Sequence, residues 1–215
     1  MKSPIFYFAA CAVMFAPCCA DAATPLVSNK LVNTVIPDNN SSGLTSIIAI
    51  AGSGQTVDSV DVSIDVRNGW NGDMYAYLEH NGVISVLLNR PGRTADNPAG
   101  AVSSGMQVTL TDSSLADIHT AISGSLGASA SGIYQPDGRA ADPGLVTDAS
   151  PRSLYLSGFS GQAADGAWTL FVADLAGGDV ATLNSWSLSI SLVPEPSSAL
   201  LVCAALPLLL RRRRF

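Results

Sequence analysis

The segment DGAWTLFVADLAGGDVATLNSWSLSI, residues 165–190, shows most clearly which kind of fold this chain adopts. Apolar side chains recur at every second position in both halves, first from Trp168 to Val172 and then from Trp186 to Ile190. Successive side chains of a strand point to opposite faces, so this period of two predicts β-strands with one buried face. Both tryptophans are therefore expected in the core.

The same alternation appears earlier in the chain. From Val60 to Val66, valine and isoleucine alternate with aspartate and serine, which predicts a strand with one solvated face. Asn81-Gly82 separates two β-rich runs, and this pair favours a type I′ hairpin turn because both central residues need positive φ. No sustained helical period lies between these runs. The pattern predicts an antiparallel β-sandwich or barrel.

The stretch between the clear strands, residues 91–151, is rich in Gly, Ala, Ser and Asp. A structureless loop of that length is uncommon in a compact domain. Short strands are therefore expected here, including one at 106–111. We also expect a helical turn near 115–119 and an exposed loop around 135–148.

Charge and cysteine content exclude several classes of function. The part between the two chain ends has six basic and 15 acidic residues, and nucleic-acid binding needs clustered Lys and Arg. All four cysteines lie in the end segments, at Cys11, Cys18, Cys19 and Cys203. The remaining residues, about 171, contain no cysteine and are expected to form one domain without disulfides or thiolate chemistry.

Two segments, residues 68–90 and 165–190, resemble the signature stretches of the proprotein convertase P-domain, also called the P/Homo B domain. The matching residues are Trp70, Asn71, Gly72, Asp73, Val86, Leu87, Leu88, Gly166, Trp168, Thr169, Leu170, Asp174, Gly178, Asp179, Leu183, Trp186, Ser187 and Leu188. The resemblance implies a jelly-roll-like antiparallel β-sandwich of about eight strands at 45–192, preceded by an N-terminal extension at 23–44. It implies that Trp70, Trp168 and Trp186 are core residues, the last two on strands that pair as a hairpin.

A P-domain holds no catalytic residue, so the resemblance implies a non-enzymatic chain. The motifs of hydrolases, zinc proteases, phosphate-binding loops and EF-hands are absent from the sequence. His80 and His119 lack a recognisable nucleophile or orienting acid, and each is expected to be a solvated turn or surface histidine.

Asp73, Asp174 and Asp179 lie at expected strand ends, and Gly177-Gly178 precedes the last of them. Calcium takes six to eight oxygen ligands, which three carboxylates, loop carbonyls and water can supply. The alternative is that these aspartates cap turns through backbone N–H groups. Calcium is the only cofactor that we expect.

The N-terminal residues 1–22 have the pattern of a secretory signal peptide. Lys2 precedes an apolar stretch from Ile5 to Ala16, and Ala20 and Ala22 form a small-x-small cleavage site. A first transmembrane helix is a weaker alternative because the stretch is short. Lipoprotein processing at Cys18 or Cys19 is disfavoured by the preceding Ala16-Pro17.

The C-terminal residues 193–215 combine a Pro-Glu-Pro motif, a 12-residue apolar run and a basic end. The run is shorter than the roughly 20 residues that cross a bilayer, and clustered arginines stay on the cytoplasmic side. These elements are Pro194, Glu195, Pro196, the short apolar helix expected at 199–210, Arg211, Arg212, Arg213 and Arg214. Their order resembles the PEP-CTERM sorting tail of Gram-negative, biofilm-forming bacteria. An exosortase-type membrane enzyme processes such tails.

Two functions follow as hypotheses. The first is an exported, non-catalytic module of the cell surface or extracellular matrix that binds a protein or a polysaccharide. The second is a detached P-domain that stabilises a subtilisin-like serine endopeptidase. Both place the chain in the cell envelope or outside the cell, after transient association with the inner membrane through the tail.

The first testable prediction is that both ends are removed during export, near Ala22 and near Pro194-Glu195-Pro196. Intact-mass analysis of the exported protein checks this directly. A mature form that still carries Cys203 and the terminal arginines would contradict the sorting hypothesis and indicate a short tail anchor instead.

Overall fold

The computed structural model describes residues 24–122 and 126–193. The strands in these ranges are β1 (Leu26–Val35), β2 (Leu44–Ile50), β3 (Val57–Trp70), β4 (Met74–His80), β5 (Val83–Asn89), β6 (Ser104–Leu110), β7 (Ala130–Tyr134), β8 (Gly166–Asp174) and β9 (Thr182–Leu192). One short helix, α1 (Ile118–Ala121), and two 3-10 turns, Asn71–Asp73 and Leu156–Phe159, lie between strands.

The strands form two sheets. Sheet A has five strands in the order β1-β9-β3-β6-β7, and sheet B has four in the order β2-β8-β4-β5. Every pairing of adjacent strands is antiparallel except β6 with β7. The predicted all-β antiparallel sandwich is confirmed, with nine strands in the described ranges and almost no helix.

The core lies between the sheets and contains both predicted tryptophans. Trp168 of β8 is 0% exposed and Trp186 of β9 is 2% exposed. The Trp186 Nε1–H donates to Ser46 Oγ at 2.9 Å, which connects β9 of sheet A to β2 of sheet B. The Trp168 Nε1–H donates to the Ala164 carbonyl oxygen at 3.0 Å. Both rings are thus buried with their polar atoms paired, as large amphipathic rings require.

The clearest sequence patterns correspond to observed elements. Val60, Val62, Ile64 and Val66 are all buried on the inner face of β3. Asn81-Gly82 joins β4 to β5, with φ of 50° and 79° at the two residues. Such positive φ values are those of a type I′ turn, which matches the right-handed twist of the flanking strands.

Two implications of the P-domain resemblance are wrong here. Trp70 is 42% exposed and does not belong to the core. The register of β3 against β6 shifts between Val66 and Trp70, where Asn68 and Gly69 have positive φ, so the alternation does not continue to the ring. The two tryptophan-bearing strands are not hairpin partners either, because the chain crosses from sheet B to sheet A between β8 and β9.

Residues 24–44 are not separate from the sandwich. They include β1, which pairs along β9 from Leu26 to Val35 and forms one edge of sheet A. Lys30 of this strand donates its Nζ–H to the Ile47 carbonyl oxygen on β2, at the edge of the other sheet. The structural boundary of the sandwich therefore precedes the predicted residue 45.

The stretch 91–151 contains β6, β7 and α1, in agreement with the expected short strands and helical turn. The loop expected to be exposed at 135–148 is partly buried, since Asp137 and Arg139 are 0% and 2% exposed. Buried ion pairs hold this loop against the domain, a feature that composition does not indicate.

No helix within the described ranges is long and apolar enough to cross a membrane. The predicted signal cleavage residues Ala20 and Ala22, the Pro-Glu-Pro motif, the expected tail helix and the terminal arginines lie outside the described residues.

The second testable prediction concerns the core. Replacement of Trp186 by alanine removes a buried ring and leaves Ser46 without its donor, so we expect a loss of about 3–5 kcal/mol in the free energy of unfolding. Urea titration measures this loss. Trp70→Ala is the matched control, and its effect should stay within roughly 0.5–1 kcal/mol because that ring is partly solvated. Equal losses for the two variants would contradict the assignment of Trp186 to the core.

Candidate functional site

The chain segments around β3, β4 and β8 bring aspartates together at one end of sheet B. Met74 of β4 pairs with Asp174, the last residue of β8. The Leu175 N–H donates to the Asp73 carbonyl oxygen at 3.0 Å, so Asp73 and Asp174 are fixed side by side by strand pairing. The two residues are 5% and 0% exposed. Two of the three predicted ligands are therefore adjacent and buried.

The third predicted ligand, Asp179, lies in the loop between β8 and β9. Asp38, which the sequence did not single out, lies in the loop between β1 and β2. A Cβ placed on Gly177 would lie 3.9 Å from Asp38 Oδ1, so the two loops are in close contact. We call Asp38, Asp73, Asp174 and Asp179 the acidic cluster.

The electrostatics of the acidic cluster are unfavourable for carboxylates. Burial raises the pKa of Asp174 to about 6, against the opposing effect of the Ala176 N–H. The negative charges of Asp73, Asp179 and Asp38 act in the same direction as burial. Burial also raises the pKa of Asp179, and the Trp70 backbone N–H opposes this effect.

Arg90 is the cation beside this cluster. Its Nη2–H donates to Asp73 Oδ1 at 3.1 Å, and its Nε–H donates to the Gly72 carbonyl oxygen at 2.9 Å. Burial raises the pKa of Asp73 and the Arg90 guanidinium lowers it, with a net increase. Within the cluster, Arg90 therefore pairs with Asp73.

Two oxygens of the acidic cluster are buried without a hydrogen-bond partner, Asp174 Oδ2 and Asp179 Oδ1. Asp174 Oδ1 accepts from the Ala176 N–H at 3.3 Å, so the turn-capping alternative holds for one oxygen of that residue. Across 24–122 and 126–193, no three or more His, Cys, Asp or Glu side chains are already arranged to hold a metal ion.

The prediction that both histidines are solvated is wrong, because His80 and His119 are each 0% exposed. The His80 ring stacks on the Trp168 ring at a centroid distance of 3.8 Å. Its Nδ1 lies 2.9 Å from the Ala167 carbonyl oxygen, and its Nε2 lies 2.7 Å from the Ala163 carbonyl oxygen. His80 is thus a packed core residue at the end of β4.

His119 is held by acceptors on both sides of its ring. Its Nδ1–H donates to Asp137 Oδ2 and its Nε2–H to the Arg93 carbonyl oxygen, each at 2.8 Å. Burial lowers the pKa of His119, but the hydrogen bond and the charge of Asp137 outweigh burial, so the pKa is raised. Because two oxygens face the two ring nitrogens, the doubly protonated ring satisfies both contacts.

Arginine side chains complete this buried network. Arg139 donates to Asp137 Oδ1 at 3.2 Å and to Asp117 Oδ2 at 2.9 Å. Asp117 caps α1 by accepting from the His119 N–H, and Arg152 approaches it at 3.6 Å. Asp137 also accepts from the backbone N–H of Asn89 on β5. We call His119, Asp117, Asp137, Arg139 and Arg152 the ionic network.

The outer face of sheet B carries an aromatic patch. Tyr77 of β4 pairs with Phe171 of β8, and their rings stack at a centroid distance of 4.8 Å. Tyr75 meets the other two rings edge-on. Ile47 and Ile84, exposed by 46% and 41%, lie on neighbouring strands of the same face. We call these five residues the aromatic patch.

The outer face of sheet A is polar, whereas that of sheet B is aromatic. A shallow groove of about 500 Å³ crosses it. Its polar lining residues include Ser63, Asp65, Gln107, Thr109, Ser185 and Ser187. No aromatic side chain of this groove points outward, since the ring of Trp186 lies in the core. The two faces of the sandwich therefore offer different surfaces to a partner.

The arrangement defines an all-β sandwich with a buried acidic cluster and with both histidine rings engaged. The family model of the proprotein convertase P-domain matches residues 146–190, which include β8 and β9. The predicted P-domain resemblance is confirmed over that range. A search of curated proteins found no match.

Two solved structures are similar to the chain. The serine protease of Aeromonas sobria has 18% identity and a TM-score of 0.44, covering 77% of this chain and 26% of the protease chain. The complex of that protease with its chaperone has 18% identity and a TM-score of 0.41, covering 78% and 27%. The chain spans about a quarter of the length of these protease chains.

The third testable prediction is a pH dependence that arises from His119. Its pKa is raised in the folded protein, so its contribution to stability is full below about pH 6.5 and is lost as the pH rises through the folded-state pKa. The free energy of unfolding of His119→Gln should therefore fall furthest below that of the wild type at low pH. The difference should narrow above pH 6.5. Urea titrations from pH 5.5 to 8.5 measure it, and a constant difference would contradict the paired imidazolium.

Proposed function

We propose that the chain is an exported, non-catalytic binding module of the P-domain type. The observation that carries this proposal is the P-domain match over residues 146–190. The P-domain is an accessory, non-catalytic part of proteases. The chain's two histidines support the proposal, because the ring nitrogens of both face carbonyl or carboxylate oxygens. Neither ring lies against a serine hydroxyl as a general base would.

The aromatic patch is the surface that best suits a protein partner. Tyrosine and phenylalanine are enriched at the centres of protein interfaces, where their rings supply large contact areas at low entropic cost. In the patch, Tyr75, Tyr77 and Phe171 form a central group, and Ile47 and Ile84 extend it across the sheet. Neighbouring Thr169 and Glu79 provide polar groups on the same face.

The partner that we propose is a subtilisin-like serine protease made as a separate chain. P-domains stabilise such catalytic domains from within the same polypeptide, and we propose that this module does so as a separate chain. The chain would therefore act as a detached accessory of proteolysis. The predicted signal peptide and sorting tail favour a location at the cell surface or in the extracellular matrix, where secreted proteases work.

A surface module that binds another envelope protein or a matrix polysaccharide is the second candidate. The polar groove on sheet A favours it, because hydroxyl and amide groups can form hydrogen bonds with a sugar chain. In either case the proposed route is the same, with export, transient retention at the inner membrane and exosortase-type processing.

The fourth testable prediction distinguishes a protease partner from a polysaccharide partner by mutating the surface proposed to bind each one. Tagged full-length protein carrying Tyr77→Ala and Phe171→Ala should lose at least about 90% of the serine protease captured from the host's secreted fraction. Loss of central aromatic anchors commonly weakens binding by more than tenfold. Mass spectrometry identifies the captured protein. The thermal half-life of its peptidase activity, measured with and without added module, tests stabilisation.

Leu31→Ala is the matched control, because Leu31 is 71% exposed on the outer face of sheet A. It should leave capture and half-life unchanged. If no protease is captured while matrix polysaccharide retards the protein in affinity gels, and Gln107→Ala removes that retardation, the accessory proposal is overturned in favour of the second candidate.

A further inference from the structure

The acidic cluster contains buried groups that the protein itself does not satisfy. Asp174 is 0% exposed, and its Oδ2 accepts no hydrogen bond. Asp179 Oδ1 is also buried and accepts no hydrogen bond. Leaving a buried acceptor without a partner costs about 1–3 kcal/mol, and more for a charged group. Native structures leave few such atoms, so each one needs an explanation.

A bound cation would supply the missing partner. We propose that Asp38, Asp73, Asp174 and Asp179 form a calcium site at the end of sheet B. This inference goes beyond the proposed function, because it concerns a ligand of the fold and does not depend on any protein partner.

The donor set selects a hard cation. All four side chains are carboxylates, and the histidines lie elsewhere, in the core beside Trp168 and in the ionic network. Zinc and copper sites in proteins use imidazole or thiolate, whereas calcium takes six to eight oxygens in flexible geometry. Magnesium requires near-ideal octahedral geometry and keeps several waters, which suits two facing loops less well.

The backbone around the cluster allows an ion to approach. Gly178 has a φ of 136°, and no atom lies within 4 Å of the position of its absent Cβ. The loop beside Asp179 is therefore open on that side, and its carbonyl oxygens and water can complete the coordination. Asp174 and Asp73 are fixed by strand pairing. Asp38 is exposed and Asp179 is half-buried, so these two carboxylates can rotate toward an ion held by the fixed pair.

A purely structural role explains the cluster less well. An asparagine at position 174 would accept from Ala176 equally well and would remove a like charge from beside Asp73. Arg90 neutralises Asp73, but Asp174 and Asp179 have no hydrogen-bonded cation of their own. Two buried carboxylate oxygens without a partner are what a site contains when its divalent cation has not yet bound.

The test uses the full-length protein in 5 mM calcium chloride or in EGTA. At a calcium concentration about 100 times the dissociation constant, the melting temperature should rise by roughly 5–10 °C. Isothermal titration with calcium chloride should show one site. Asp174→Asn should lose the calcium response and should melt in EGTA at the wild-type temperature or above, since a buried like charge is gone.

Asp38→Asn provides a second variant if Asp174→Asn fails to fold, because Asp38 is exposed in a loop. It should weaken calcium binding by at least about tenfold. Asp58→Asn is the matched control, since it removes the same charge from an exposed position on β3 and should keep the full response. Equal melting temperatures in calcium and EGTA would overturn the site. An equal shift with sodium chloride at the same ionic strength would also overturn it, by indicating ionic screening alone.

Discussion

Apolar contact between the two sheets is the constraint on which the rest of the structure depends. Residues 24–193 contain no cysteine, so no disulfide joins the sheets. Trp168 on sheet B and Trp186 on sheet A fill much of the shared core, and the Trp186 N–H reaches Ser46 on the opposite sheet. β9 lies between β1 and β3 and thereby ties the N-terminal strand into sheet A. Because this core fixes both sheets, their outer faces and loops can carry other functions.

The ionic network holds the loops of the 91–151 region in place, as the apolar core holds the two sheets together. The 91–151 region contains few large apolar residues, and buried charges organise it instead. His119 connects Arg93 to Asp137, Asp137 accepts from Asn89 on β5, and Arg139 reaches Asp117 at the start of α1. Desolvation offsets much of the attraction within a buried ion pair, so the network is weak evidence for net stability. We infer that the network selects one arrangement for a segment that could otherwise adopt many.

Sequence patterns predicted the features that depend on local periodicity. The inner face of β3, the Asn81-Gly82 hairpin and the burial of both core tryptophans follow from alternation and turn chemistry alone. Pairings between distant residues leave no such pattern. The buried state of His119 depends on Asp137, which is 18 positions away, and the contribution of Asp38 depends on a loop from another strand. The exposure of Trp70 results from a register shift in β3, which the surrounding apolar residues do not indicate.

The ionic network and the acidic cluster both contain buried aspartates, but they differ in how many of these aspartates have a cationic partner. Asp117 and Asp137 face Arg139, with His119 and Arg152 beside them, so that each carboxylate has a cationic partner. Within the described ranges, Arg90 is the one cation that pairs with the acidic cluster, and its partner is Asp73. Burial raises the pKa of Asp174 in this cluster to about 6. The fold therefore gives both carboxylates of the ionic network a cationic partner, and it leaves one buried oxygen of Asp174 and one of Asp179 without a hydrogen-bond partner. The calcium ion that we propose would account for this difference, because it would supply the missing cationic partner.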